Sequence, residues 1–237
     1  MKHPSPTIIL PTYNEAENII VLIREIQRYT PAGSTILVVD DNSPDGTAHR
    51  VRRFIKSHKA QNTVRLMVRS MNRGLTNSLI DGIATAKSDV ILWMDCDFSH
   101  PPSMLPKLIH TIEIGADIAI ASRVNNTGFS RILNSITQLL FGRNITDYTT
   151  GFLAARRRVL TRIPLRGNYG EYCIDLLVRA QAAGYRIDGI PYGSPPRRRG
   201  ITKTAPTPAA FIRHGVGYIF TLLRLLWVIK VLRKPTV

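Results

Sequence analysis

Acidic side chains are scarce in this chain of 237 residues: 16 aspartates and glutamates stand against 32 lysines and arginines, a formal charge of +16. A surface that basic suits an anionic partner, whether nucleic acid, acidic lipid or a phosphorylated substrate. Cysteine is scarcer still. Cys96 and Cys173 cannot staple a domain of this size, which excludes a disulfide scaffold and favours a reducing compartment. Long apolar runs are missing too. The opening MKHPSPTIILPTYNE has a four-residue apolar run before proline and charge, so no signal peptide is expected there. Near the C-terminus the longest uncharged stretch, residues 214–223, is ten residues. Crossing a bilayer takes roughly 20. There is no GxGxxG or Walker loop, which argues against a dinucleotide enzyme or a P-loop ATPase, and the six histidines show no metal spacing.

What is present reads as one globular α/β domain. Hydrophobic residues make up 44% and charged residues 20%, enough for one substantial core and unlike a disordered chain. Apolar strands are expected at 7–10, 36–39, 64–68 and 90–94, each followed by a helical pattern. The first helix is expected over 14–28, with Ile19, Leu22, Ile23 and Ile26 on its inner face. Such β-α units predict a mainly parallel sheet with helices on both faces. Further helices are expected over 105–114 and 173–183, with a short strand at 118–121. Residues 147–152 read as a loop.

Polar clusters fall just after the strands, where open α/β sheets bind ligands. Asp95-Cys96-Asp97 follows the fourth strand directly, and two carboxylates so spaced can hold a hard divalent cation and, through it, phosphate oxygens. The spacing alone is equally that of turn-forming, helix-capping aspartates. Asp40, ending the second strand, can accept hydrogen bonds from a base or ribose, or simply belong to the turn DDNSPDG. With Pro11-Thr12-Tyr13-Asn14-Glu15 at a third strand end, these clusters are expected to converge on one sheet edge. Arg197-Arg198-Arg199-Gly200-Ile201-Thr202-Lys203 suits either a solvated loop or a diphosphate clamp. Arg123 and Arg131, with Ser135 four residues on, form a second possible anion site, or ordinary surface arginines.

From Ala209 to Leu232 the sequence reads as a helix apolar on most sides, interrupted by Arg213, Arg224 and Lys230. At about 100° per residue these and Lys234 share an arc of about 120°. The pattern suits a helix lying in an anionic membrane interface, or one packed on the domain or on a second subunit.

Together these segments resemble the dolichol- or polyprenol-phosphate mannose synthases, within the family 2 glycosyltransferases of GT-A fold. The resemblance runs from Ile8 to about Lys203. Its motifs are Pro11-Thr12-Tyr13-Asn14-Glu15, the block Val38 to Thr47, Met94-Asp95-Cys96-Asp97-Phe98-Ser99-His100-Pro101, Ala121-Ser122-Arg123, Thr150-Gly151-Phe152 and Arg199-Gly200-Ile201-Thr202-Lys203. Departures are Cys96 where the family usually has alanine, Thr76 in a Gly-Leu-Gly type loop, and Cys173 and Asp175 where glutamine and glutamate are usual.

The resemblance implies a GT-A nucleotide-diphospho-sugar transferase fold over 1–205 and an amphipathic, membrane-associating helix over 206–237. It implies that Pro11, Tyr13, Glu15 and Asp40 surround the donor nucleoside, and that Asp95 and Asp97 hold Mg²⁺ or Mn²⁺ against its diphosphate, with Cys96 contributing backbone. Arg199 and Lys203, assisted by Arg197, are expected on the diphosphate; Arg123, Arg131 and Ser135 are expected to receive the phosphate of a lipid acceptor. The implied reaction carries mannose from GDP-mannose to dolichyl or polyprenyl phosphate with inversion. UDP-glucose or another sugar nucleotide is the alternative donor. The expected place is peripheral, on the cytoplasmic face of an anionic membrane, and a small membrane-anchoring subunit is compatible with it. A nucleic-acid partner is disfavoured, because acidic strand ends repel a phosphate backbone and no aromatic platform punctuates the basic segments.

Overall fold

The computed structural model describes residues 5–57, 63–126, 128–195 and 208–232, with side chains of the last segment described from 215 to 229. The first half repeats strand and helix: β1 (Thr7–Thr12), α1 (Ile19–Tyr29), β2 (Thr35–Asp40), α2 (Thr47–Ser57), β3 (Thr63–Val68), α3 (Leu75–Thr85) and β4 (Val90–Trp93). A single 3-10 turn leads into α4 (Leu105–Glu113). Then come β5 (Ile118–Arg123), α5 (Gly128–Phe141), β6 (Leu153–Arg156), α6 (Arg157–Arg162), α7 (Glu171–Ala182), β7 (Ile187–Tyr192) and α8 (Pro208–Leu232).

One seven-stranded sheet runs β3-β2-β1-β4-β6-β5-β7. Every neighbouring pair is parallel except those of β6, which runs antiparallel to both β4 and β5. The mainly parallel sheet expected from the sequence is therefore present, with one reversed strand inserted. Both faces are covered. Ile9, Leu37, Val39 and Trp93 belong to one core, while Ile8, Leu10, Ile36, Val38 and Leu92 belong to the other. Alternate residues of one strand thus feed opposite layers, which is why these strands read as continuous apolar runs. Each such side chain contributes roughly 1.5–3 kcal/mol relative to exposure. On α3, Gly82 permits close packing: a Cβ there would stand 2.8 Å from Ile9 Cγ2.

The first helix begins at Ile19 rather than Asn14. The inner-face residues Ile19, Leu22, Ile23 and Ile26 are fully buried as expected. Upstream, the backbone is claimed by the loop after β2. Asn14 N donates to Ser43 Oγ at 3.0 Å, Glu15 N to Thr47 Oγ1 at 3.0 Å, and Ala16 N to Asp45 Oδ2 at 2.9 Å. Asn14 adopts a left-handed conformation, φ 56°.

α8 lies on α7. Tyr218, Leu222 and Leu225 enter the core that α7 also feeds. Val216, Ile219, Phe220, Leu223 and Trp227 remain exposed along the opposite side. Among the described residues, no helix is long and apolar enough to cross a membrane.

Candidate active site

β2, β1 and β4 are adjacent and parallel, so their C-terminal ends share one edge of the sheet. Thr12 pairs with Asp40 across β1 and β2, and Thr12 Oγ1 donates to Asp40 Oδ1 at 2.9 Å. Asp40 also accepts from Ser43 N at 2.9 Å and Ser43 Oγ at 2.6 Å, and it has no exposed surface. Its carboxylate shapes the loop from beneath. Tyr13 is half-exposed, and Glu15 Oε2 accepts from Asn18 Nδ2 at 3.0 Å. The neighbouring Asp41 is bound to Arg69, to Gly74 N at 2.7 Å and to Ser78 Oγ at 3.0 Å, which ties the loops after β2 and β3 together.

The Asp95–Asp97 turn sits beside this. Cys96 Sγ lies 3.6 Å from Pro11 O, placing the turn against the end of β1. Asp97 Oδ1 accepts from Ser99 N at 3.0 Å and Ser99 Oγ at 2.6 Å, and Phe98 between them is left-handed, φ 67°. A bulky residue in that region is unusual and costs energy, the kind of strain that clusters at functional sites. Asp95 keeps a side-chain exposure of 47%. Its backbone N–H donates to His100 Nδ1 at 2.9 Å, and His100 Nε2 stands 3.9 Å from Asp95 Oδ2. Burial lowers the imidazole pKa against the opposing pull of Asp95 and Asp97. Among the described residues, no group of three or more His, Cys, Asp or Glu could enclose a metal. Two carboxylates on one turn nonetheless suit a hard cation whose remaining ligands come from substrate phosphates, as is usual for Mg²⁺.

A second charged centre lies at the end of β5. Arg123 donates from Nε to Asp147 Oδ2 at 2.8 Å, and from Nη2 to Asp147 Oδ1 at 3.1 Å and Thr149 Oγ1 at 2.7 Å. Asp147 has no exposed surface. Burial acts to raise its pKa, but Arg123, Asn134 and the Thr149 N–H outweigh it and hold the carboxyl below the usual range. Burial likewise acts to lower Arg123, and Asp147 outweighs it, so the guanidinium is held above its usual value. Both stay charged. Between this centre and Asp95 runs a row of rings. His100 stacks on Phe152 at 4.9 Å, and Phe152 meets Tyr192 edge-on at 6.1 Å. Tyr192 is in register with Arg123 across β5 and β7.

Pro11, Tyr13, Glu15, Asp40, Asp95, Cys96 and Asp97 therefore gather at one edge, as expected from the sequence. Arg131 and Ser135 stand exposed on α5, with Ser135 Oγ bonded to Arg131 O at 3.0 Å. Arg197, Arg199 and Lys203 lie outside the described residues. Asp147, Thr149 and Asn134 are not site residues that the sequence points to, and His100 stands in the motif Met94 to Pro101 without a role of its own. The signal for Asp147 was there: an acid in a chain so basic, ahead of a Thr-Thr-Gly turn, calls for an arginine once it is buried. Cys173 is buried and its thiol is pushed up to about 12 by desolvation, which leaves it inert.

Residues 7–163 match the family described as Glycosyl transferase family 2. The chain belongs to that family. Among relatives of this glycosyltransferase is a "Dolichol-phosphate mannosyltransferase" of Pyrococcus furiosus, 32% identical over 223 residues. That match takes in 88% of this chain and 62% of the archaeal protein, so the chain spans less than two thirds of that relative's length. A "Polyprenol monophosphomannose synthase" of Mycolicibacterium smegmatis is 33% identical over 83% of this chain and 79% of its own. Among solved structures, glucosyl-3-phosphoglycerate synthase from Mycobacterium tuberculosis, with Mn²⁺, UDP-glucose and phosphoglyceric acid, superposes with a TM-score of 0.75. At 19% identity, over 94% of this chain and 80% of that one, it shows a shared GT-A-type fold.

Proposed function

We propose that this glycosyltransferase carries mannose from GDP-mannose to a polyprenyl or dolichyl phosphate, with inversion at the sugar carbon. The observation that supports it is the separation of two centres: an acidic sheet edge at Asp95 and Asp97, and a fixed cation, Arg123, at the end of β5. The names of the two mannosyl-transferring relatives point the same way.

Pro11, Tyr13, Glu15 and the loop shaped by Asp40 border the nucleoside in this reading. Asp95 and Asp97 would hold Mg²⁺ or Mn²⁺, which when bound supplies positive charge against the departing diphosphate. Arg197, Arg199 and Lys203 are assigned to that diphosphate as well. Arg123, locked along one edge by Asp147 and Thr149, presents its Nη1 side to the acceptor phosphate. Arg131 and Ser135 join it from α5. A lipid phosphate is anionic near neutral pH, so its oxygen attacks the sugar carbon without a general base. The protein's work is alignment of nucleophile and leaving group. A single in-line displacement converts an α-linked donor into a β-linked lipid phosphosugar.

The acceptor's tail remains in a bilayer, and the protein offers two apolar faces to one. Ile132, Ile136, Leu139 and Leu140 on α5 are exposed, as are Val216, Ile219, Phe220, Leu223 and Trp227 on α8. We place the protein peripherally on the membrane through these faces, with 1–205 as the catalytic part and 206–237 as the associating segment. The test of the donor is a panel. Purified protein receives a polyprenyl phosphate with Mg²⁺ or Mn²⁺ and, separately, GDP-mannose, UDP-glucose and UDP-N-acetylglucosamine; mass spectrometry then reads the lipid. A hexosyl lipid phosphate from GDP-mannose alone is expected. Product only from a UDP-sugar would overturn the donor, and no lipid product from any would overturn the reaction.

A further inference from the structure

α5 is held at its ends by Phe129 and Phe141, which pack against the core, and near its C-terminal end by Gln138, whose Nε2 donates to Ile145 O and Thr146 O at 3.2 Å. Of its 14 residues, the buried ones are Leu133, Asn134 and Thr137. Leu133 packs into the core, and Thr137 Oγ1 turns back on its own helix, donating to Leu133 O at 2.7 Å. Asn134 alone of the three reaches a charged group. Its Nδ2 donates to Asp147 Oδ1 at 3.0 Å and to Thr149 Oγ1 at 3.2 Å, while its Oδ1 accepts from Tyr148 N at 2.7 Å. One amide therefore gathers three consecutive residues, Asp147 to Thr149, into a turn. Two of these, Asp147 and Thr149, are the partners that fix Arg123.

The arrangement leaves little freedom. Arg123 spends Nε and Nη2 on Asp147 and Thr149, and among the described residues its Nη1 makes no hydrogen bond. Asp147 Oδ1 accepts from Arg123, from Asn134, and from Thr149 N at 3.0 Å, so removing the amide donor unbalances the buried carboxylate. On the helix, Arg131 and Ser135 lie three residues before and one after Asn134. The rotation that seats Asn134 inward thus sets where those two side chains stand relative to Arg123.

We propose that Asn134 is a positioning residue for the acceptor: it pins α5 to the Asp147–Thr149 turn, so that Arg123, Arg131 and Ser135 address one phosphate monoester. This rests on the assignment of Arg123 to the acceptor phosphate. Asn134 itself touches no substrate. Its loss acts on acceptor recognition and spares the donor edge, which is built from β1, β2 and β4.

The test uses the full chain, with a short water-soluble isoprenyl phosphate as acceptor, GDP-mannose as donor, and calorimetry with GDP as a separate readout. Asn134→Asp keeps the size of the side chain and the acceptor for Tyr148 N, but sets a negative oxygen against Asp147. It is expected to raise the acceptor KM about tenfold, the effect of one lost hydrogen bond to a charged group. The GDP Kd should stay within about twofold of wild type. Thr137→Val, which alters the neighbouring buried position without touching Arg123, should leave both constants within that range. Where Asn134→Asp does not fold, Thr149→Val removes the hydroxyl shared by Asn134 and Arg123, with the same expectation. An unchanged acceptor KM, a parallel fall in GDP affinity, or an equal effect from Thr137→Val overturns the positioning role. Arg123→Ala is measured alongside. If it too leaves the acceptor KM unchanged, the acceptor assignment fails; if it raises KM and Asn134→Asp does not, only the role of Asn134 fails.

Discussion

Arg224 on α8 reaches Asp175 on α7, Nη2 to Oδ1 at 2.7 Å, and Asp175 is buried to within 1% of its side-chain surface. Asp175 also accepts from Arg179 Nε at 2.7 Å, one turn along its own helix. The C-terminal helix is therefore ionically latched to the catalytic core. Arg224, which falls in the basic arc read from the sequence, faces the protein instead of lipid.

Arg224→Ala removes one of two cations from a buried carboxylate. Because Arg224 is about a third exposed and Arg179 remains, the cost should be about 1–2 kcal/mol, below that of stripping a buried pair entirely. For a chain of this size that lowers Tm by about 2–8 °C, read by thermal denaturation. An unchanged Tm would mean that the latch is a surface contact.

The metal assignment predicts its own variant. Asp97→Asn should lower transfer at least about 100-fold with Mn²⁺ supplied, while far-ultraviolet circular dichroism stays that of wild type. Asp95→Asn should be nearly as damaging. Full activity of wild type in excess chelator would remove Asp95 and Asp97 from metal binding.

Membrane attachment should depend on the exposed apolar faces. Leu139→Asp and Trp227→Asp change side chains that are 79% and 69% exposed, so the fold should survive. Each should weaken sedimentation with anionic liposomes about tenfold, because apolar burial at roughly 25 cal/mol per Å² is lost. Salt should release the wild type only partly, since it screens the basic contribution of about 1 kcal/mol per cation and not the apolar one. Liposome binding indifferent to both substitutions would contradict the placement.

Acid should strike at Asp147. Its folded pKa is held below the usual value, so its contribution is complete above the unfolded value near 4 and is lost as pH falls through the lower folded value. Arg123 is shifted upward, and its contribution fades only at pH above its own high unfolded value. The pair therefore contributes steadily from about pH 5 to 9 and declines progressively as pH falls below about 4. Asp147→Asn should lower Tm at pH 7 and flatten the acid limb of the Tm profile. An acid limb as steep as wild type would show that other carboxylates govern it.

The first hundred residues were legible because buried parallel strands are written as apolar runs, and turn-forming acids mark where they end. The convergence of Pro11, Asp40 and Asp95 on one edge follows from that pattern alone. β6 was missed because four residues, Leu153–Arg156, follow what reads as a loop, and no alternation precedes them. β7, with Gly189 and Pro191 inside Ile187–Tyr192, carries two residues that ordinarily argue against a strand. The start of α1 was misplaced because the N–H groups of Asn14 to Ala16 are satisfied by Ser43, Thr47 and Asp45, a partnership across about 30 residues that no local period reveals. The Asp147–Asn134–Arg123 centre was hidden likewise. Its members lie on a strand, a helix and a loop, and only the fold brings them within hydrogen-bonding distance.

The most direct measurement follows GDP release from GDP-mannose in three parallel reactions: with polyprenyl phosphate, with the corresponding free polyprenol, and with neither. GDP released one-for-one with a mannosyl lipid phosphate, in the first reaction alone, is the expected result. GDP released at the same rate with the free alcohol, or with no acceptor, would contradict transfer to a lipid phosphate.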